Sequence, residues 1–347
     1  MPRDEIQVSG RVTIFDVAEA SGVSYGTVSR VINNEPHVRE TTRKRVMDAI
    51  DRLGFVINRQ AQSLARGQTH VIGVLVPDLG TGYIGEIIRG IDDELDHAGF
   101  DLMLFTTHRR AAKESNYVAS LVQGVVEGLV LVLPRNPADY LGVLSSRNFP
   151  HVLVDHQGVD TTSPAIGTTN WQGAFLATEH LINLGHNHIA FITGTMDLGC
   201  AQDRLDGYKA ALSMHHIPQI PELIFEGDFF QNSGVAAANA LLDLAVPPSA
   251  IFASNDVMAM GAMDVIRHRG LRIPDDISIV GFDDIPQSAM VFPPLTTVRQ
   301  PLEQMGRVAT QVLLAMLKNP ETKNSRQELP TQLVVRSSTC NYKDRAG

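Results

Sequence analysis

The spacing of apolar and polar positions changes twice along the chain. Over residues 11–57, apolar residues recur at three- and four-residue intervals in three short segments. Thr13 opens "IFDVAEAS" with Asp16 at the third helical position, and Gly22 closes it. Ser24 then opens "YGTVSRVIN", with Val23 and Val28 at staple positions. A third segment, about 40–53, sets Val46, Ala49, Ile50 and Leu53 on one stripe and Arg43, Lys44 and Arg45 on the other face. Two compact helices joined by a glycine-containing turn, braced by a third, predict a helix-turn-helix. Ala18, Val23, Val28 and Val31 form its seam, while Tyr25, Gly26, Ser29 and Arg30 face outward. The start of such a second helix is the part that reaches base edges in a major groove.

Residues 58–67, "NRQAQSLARG", carry little apolar surface beyond Ala61, Leu64 and Ala65, between a capping Asn58 and a terminating Gly67. About ten residues is too short for an isolated helix in water. The segment reads either as a polar linker or as a hinge that becomes helical on DNA, with Leu64 wedged into the minor groove.

From Val71 the pattern becomes short apolar runs alternating with helices: "VIGVLVP", "FDLMLFTT", "GLVLVLP" and "HVLVD", then "HIAFIT", "LIFEG", "AIFASND" and "ISIVGFDD". Helices are expected over about 84–98, 171–184, 202–215 and 257–269. This alternation predicts parallel, doubly wound sheets in two lobes, with ligand binding at the carboxyl ends of the strands.

Charge sharpens the division. The chain has a net charge of −9, yet residues 1–70 hold 10 Lys/Arg against 8 Asp/Glu. A slightly basic head on an acidic body marks a separate binding module. No apolar run is long enough to span a membrane and "MPRDEIQVSGR" has no signal-peptide core, so a cytoplasmic protein is expected. Cys200 and Cys340 lack metal or redox spacing.

Candidate chemistry is concentrated in the second lobe. "SND" (254–256) and "FDD" (282–284) place polar groups at strand ends, where a carboxylate and an amide can take adjacent hydroxyls of a sugar. Asn255 and Asp283 are the ligand candidates, and Asp256 and Asp284 are expected to cap helices. Residues 80–85, "GTGYIG", formally match a dinucleotide fingerprint. "PDL" nevertheless separates strand from glycine and the second strand ends "FTTH", without a ribose-binding carboxylate. The loop is expected to line the cleft instead, with Tyr83 toward the ligand. Arg135 and Trp171 are weaker candidates, and Trp171 serves equally well as a packing residue. His186 and His188 lack a third metal ligand and read as loop polar groups. No nucleophile elbow, P-loop or zincin motif occurs, so neither an enzyme nor a cofactor or metal is expected.

"VTIFDVAEASGVSYGTVSRVIN" and "VRETTRKRVMDAIDRLGFVINRQAQSLARG" resemble the lactose-repressor (LacI/GalR) family of bacterial transcription regulators. The resemblance implies an all-α helix-turn-helix head (11–57), a hinge helix (58–67) and an α/β two-lobed periplasmic-binding-protein-like effector domain (71–342). Lobe 1 would hold about 71–168 and 300–327, and lobe 2 about 169–299 and 328–342. It further implies that Tyr25 and Gly26 read bases, supported by Thr27, Ser29 and Arg30. The DNA-facing set then comprises these with Thr13, Ser24 and Asn33, and with Asn58, Ala61 and Leu64 in the hinge. Arg204 would point into the cleft and Phe229 would stack on the ligand. The expected partners are a palindromic double-stranded operator DNA, a small-molecule effector, favoured as a sugar over a purine, and a second copy of the chain. "RSSTCNYKDRAG" carries no apolar heptad, so a dimer is expected rather than a tetramer.

Overall fold

The computed structural model describes residues 12–33, 35–55, 69–135, 137–156, 163–319 and 326–342. The hinge candidates Asn58, Ala61 and Leu64 lie outside them. The chain divides into two units, residues 1–69 and 70–347.

The first unit contains α1 (Ile14–Ser21), α2 (Tyr25–Ile32) and α3 (Glu40–Leu53). The Thr13 hydroxyl accepts from the Asp16 amide at 3.4 Å and the Asp16 carboxylate accepts from the Thr13 amide at 2.7 Å, a closed capping box. Gly22 ends α1 with φ +62°, which glycine adopts without strain. Ser24 caps α2, its hydroxyl accepting from the Thr27 amide at 3.3 Å. Val17, Ala18, Val28, Val31, Val46, Ala49 and Ile50 form one small core. One expectation changes here. Arg43 does not stand on a free face of α3: it donates to the carbonyls of Val31 (3.3 Å) and Glu35 (2.8 Å), tying α3 to the end of α2.

The second unit begins with lobe 1: β1 (Val71–Val76), α4 (Gly82–Ala98), β2 (Asp101–Thr106), α5 (Ala111–Leu121), β3 (Gly128–Val132), α6 (Ala138–Ser146), β4 (His151–Val154) and β5 (Ala165–Thr168). The chain crosses into lobe 2 for α7 (Asn170–Asn183), β6 (Ile189–Ile192), α8 (Gly199–Met214), β7 (Ile224–Phe225), α9 (Gln231–Leu242), β8 (Ala250–Ala253), α10 (Asp256–His268), β9 (Ser278–Asp283) and β10 (Thr296–Arg299). It returns to lobe 1 for α11 (Leu302–Lys318) and β11 (Gln327–Leu329), then ends in lobe 2 with β12 (Gln332–Val334).

The sheet orders are β11-β5-β4-β3-β1-β2 and β12-β10-β9-β8-β6-β7, parallel except for the antiparallel β10–β12 pair. Their central strands are buried on both faces, as the unbroken apolar runs require. The third crossing falls at Pro330, later than residue 327, because Gln327–Leu329 extend sheet 1 beside Ile166–Thr168. "LIFEG" yields only a two-residue strand, since Pro221–Leu223 form a 3₁₀ turn. Helix α8 starts three residues before the expected 202, which brings Cys200 into its first turn. In lobe 1, α4 and α11 cross at two glycines. A Cβ at Gly90 would collide with the Glu303 carbonyl, and one at Gly306 with the Ile87 carbonyl.

Candidate functional site

In the first unit, Tyr25 opens the second helix of the helix-turn-helix, 49% exposed and stacked on Phe15 at 5.2 Å between ring centroids. Beside it Ser24 and Arg30 are exposed, and Gly26, Thr27, Ser29 and Asn33 are half-buried. The Ser24 and Thr27 hydroxyls lie 3.0 Å apart, and the Asn33 amide donates to the Ser29 hydroxyl at 3.3 Å. Thr13, also exposed, is occupied by its capping box. The residues from Ser24 to Asn33 therefore present donors, acceptors and one guanidinium along a single short helix, which is what groove reading and phosphate contact need.

In the second unit a cleft lies between the two lobes, at the carboxyl ends of their parallel strands. Its wall follows strand after strand: Asp78 after β1, Arg109 after β2, Leu133 and Arg135 after β3, and Asp155 after β4. From lobe 2 come Leu198, Cys200, Arg204, Phe229, Asn255 and Asp283. Five of these wall residues have left-handed backbones: Arg109, Leu133, Asp155, Phe229 and Asp283. Non-glycine residues in that region cost of order 1–3 kcal/mol each and gather at ligand sites, where the surrounding fold holds them.

Arg204 forms the floor. It is 2% exposed; its Nε donates to Asn170 Oδ1 at 2.8 Å and its Nη1 to the Ser254 carbonyl at 2.6 Å. Asp283 stands 3.6 Å from Nη1, and the guanidinium stacks 3.9 Å above Phe282 and 5.9 Å from Phe229. Burial would lower the arginine's pKa, but the neighbouring carboxylates, Asp283 foremost, hold it above its ordinary value. Burial pushes the Asp283 carboxyl well up, with Arg204 opposing the rise. Gln300 donates to Asp283 at 2.7 Å and so fixes it at the crossing strand. Tyr83 lines the opposite wall and donates to Asp155 at 2.7 Å; burial first, then Asp155, raises its pKa.

Two arginines bridge the lobes. Arg135 pairs with Asp197 at 2.8 Å. Arg109 bonds Asp78 at 2.9 Å, donates to the Asp228 carbonyl at 3.0 Å and stacks 3.8 Å over Phe230. Ile285 of lobe 2 also packs into the core of lobe 1. Gly82 makes room for that strap, since a Cβ there would lie 2.9 Å from Gln287 and 3.3 Å from Ile285. Gly82, the middle glycine of "GTGYIG", thus serves approach between lobes rather than a pyrophosphate.

The cleft brings together Tyr83, Arg135, Arg204, Phe229, Asn255 and Asp283. Trp171 is not in its wall: it is 45% exposed on α7 and stacks on Phe175 at 5.3 Å. The capping roles are also redistributed. Asn255 caps α10, accepting from the Met258 amide at 2.9 Å, while its amide group donates to the Phe229 carbonyl at 3.0 Å. Asp256 instead points inward and accepts from Thr297, the Ile285 amide and Ser288. Asp284 caps no helix, because Arg299 (2.7 Å) and Arg336 (2.6 Å) hold it. Asp78, Arg109 and Asp155 carry no signal in the sequence because they occupy loops without a repeating pattern, and Cys200 enters the wall because α8 begins earlier than its pattern predicts. His186 is occupied by Ser249 and the Cys340 carbonyl, and His188 by the Val246 carbonyl.

Comparison with known proteins accounts for both units. Residues 13–58 match the lacI family of bacterial regulatory proteins, and residues 178–339 match the periplasmic binding protein-like domain. The chain is 34% identical to catabolite control protein A of Priestia megaterium, over 94% of this chain and 99% of that protein. It is 35% identical to the transcriptional repressor PurR of Actinobacillus pleuropneumoniae serotype 3, over 95% and 98% respectively. The Lac repressor dimer bound to operator and an anti-inducer superposes with a TM-score of 0.85 at 34% identity, covering 95% of this chain and all of that one. A transcriptional regulator, CelR, in complex with cellobiose superposes at 0.73 with 32% identity, covering 94% of this chain and all of that one. The chain belongs to the LacI family: it is a DNA-binding transcriptional regulator with a helix-turn-helix head and a two-lobed, periplasmic-binding-protein-like effector domain.

Proposed function

We propose that the protein is a homodimeric repressor of palindromic operators whose grip on DNA is set by a carbohydrate bound in the cleft. The observation that carries the ligand class is the floor of that cleft. A buried guanidinium and a buried carboxylate 3.6 Å apart, with Phe229 alongside, offer a donor, an acceptor and an apolar face together. Adjacent sugar hydroxyls engage such a pair and the ring's C–H face meets the aromatic. Asn255 and Tyr83 add further polar contacts around the same space.

Dimerisation is supported by a loop of lobe 2. Met290 and Phe292, two residues apart, stand 79% and 83% exposed, an apolar pair that a second copy of the chain would remove from water. Two heads on one dimer give affinity through effective concentration that a small head lacks alone. A ligand that binds one lobe arrangement better than the other shifts operator affinity by about 1–3 kcal/mol, and DNA shifts ligand affinity by the same factor. The cross-lobe contacts of Arg109 and Arg135 are where lobe opening must act.

Fluorescence anisotropy on palindromic promoter fragments, with and without candidate sugars, tests the reading, with light scattering for the dimer. Salt-sensitive binding that changes about five-fold or more with one sugar is expected. Equal affinity for palindromic and scrambled fragments, unmoved by any metabolite, overturns it.

A further inference from the structure

The charge of the cleft wall narrows the carbohydrate reading, on which this inference rests. Three guanidinium groups reach the wall, and each already has a carboxylate. Arg109 pairs with Asp78 at 2.9 Å, Arg135 with Asp197 at 2.8 Å and Arg204 with Asp283 at 3.6 Å. Asp155 is the wall carboxylate that forms no direct ion pair among the described residues, although Arg204 lies within reach of its charge. It is 5% exposed, its Oδ2 accepts from the Tyr83 hydroxyl at 2.7 Å, and its Oδ1 has no partner among the described residues. A buried carboxylate oxygen without a donor is costly unless a ligand supplies one. On the opposite side, Arg204 commits Nε and Nη1 to the protein, and its Nη2 makes no bond among the described residues.

We propose that the cleft selects a ligand without negative charge: a neutral, hydroxyl-rich carbohydrate that donates to Asp155 Oδ1, while phosphorylated sugars and sugar acids are rejected. A hydroxyl both donates and accepts, so a polyol satisfies the Asp155 oxygen and the Arg204 nitrogen with neighbouring groups. A phosphate or carboxylate only accepts at neutral pH. It would face Asp155, and the charge of each wall guanidinium is already balanced by a paired carboxylate, so it must share that cation with Asp78, Asp197 or Asp283 or displace one of them. That is discrimination by repulsion rather than by a missing contact.

Calorimetry on the full-length chain with matched probes tests this: glucose against glucose 6-phosphate, ribose against ribose 5-phosphate, galactose against galacturonate, and cellobiose and hypoxanthine alone. One or more neutral sugars should bind, and the charged counterpart should bind at least a hundredfold more weakly. Asp155→Asn should weaken the neutral sugar at least tenfold and narrow its gap to the charged partner by a similar factor. A phosphate or uronate binding as tightly as its neutral counterpart overturns the selectivity, independently of how the variant folds. Unchanged affinities in a folded Asp155→Asn protein overturn the role of Asp155. Heat from hypoxanthine alone, or from no probe, overturns the underlying carbohydrate reading instead.

Discussion

Replacing Asp256 tests how lobe 2 holds the strap that reaches across the cleft. The side chain is fully buried at the start of α10 and accepts three donors, from Thr297, Ser288 (2.6 Å) and the Ile285 amide (2.9 Å). Ile285, fixed in this way, inserts into the core of lobe 1. Asp256→Ala leaves the Ile285 amide, which has no freedom to turn elsewhere, buried without an acceptor, at a cost of ~1–3 kcal/mol. The lost volume and the two released hydroxyls bring the total to about 3–5 kcal/mol. For a unit of this size that is a fall in melting temperature of roughly 6–15 °C.

Asp256→Asn keeps one acceptor for Ile285 and Ser288 and turns an NH₂ toward the Thr297 hydroxyl, which can accept. Its cost at neutral pH should be about 1 kcal/mol or less. Burial, opposed by the three hydrogen bonds, pushes the Asp256 carboxyl up to about 7. The folded state therefore holds this proton more tightly than the unfolded state, whose value is near 4. Asp256 contributes most stability below pH 4, and loses it as pH rises toward 7, by up to about 1.4 kcal/mol per unit. The Asn variant cannot lose it. Scanning calorimetry from pH 5 to 8 should show the wild type falling relative to Asp256→Asn and levelling above pH 7. An Asp256→Ala protein melting within 2 °C of wild type would refute the account of the strap. A constant difference between wild type and Asn would refute the titration.

Two further predictions concern glycines with opposite surroundings. Gly26→Ala places a Cβ whose nearest neighbour is the Ser24 hydroxyl at 3.9 Å, so nothing opposes the gain of about 1 kcal/mol in helix propensity. Amide exchange in α2 should slow about five-fold, and faster exchange would contradict the helix geometry. Gly90→Ala, by contrast, drives a methyl into the Glu303 carbonyl and must push α4 and α11 apart. A loss of about 3 kcal/mol is expected in a thermal melt, and a neutral substitution would show that the two helices do not cross so closely.

The head was almost wholly legible before folding, because its information is local. Caps at Thr13 and Ser24, the stop at Gly22 and the stripe of α3 act within a few residues, and α3 spans the expected Glu40–Leu53. The apolar runs likewise announced parallel sheets, since a strand buried on both faces has no polar side to show. What pattern could not reveal were choices made between distant segments. Arg43 is turned inward by carbonyls 8 and 12 residues away, and Trp171 is kept out of the cleft on α7. Asn255 rather than Asp256 caps α10, because Asp256 is claimed by Ser288 and Thr297. Asp155 and Arg109 enter the cleft only because strand ends from a parallel sheet converge there and hold both in a left-handed backbone, one that aspartate tolerates and that arginine has no local preference for. Periodicity governs what a short segment becomes; which charges meet, and which is left over, depends on loop ends brought together across a sheet.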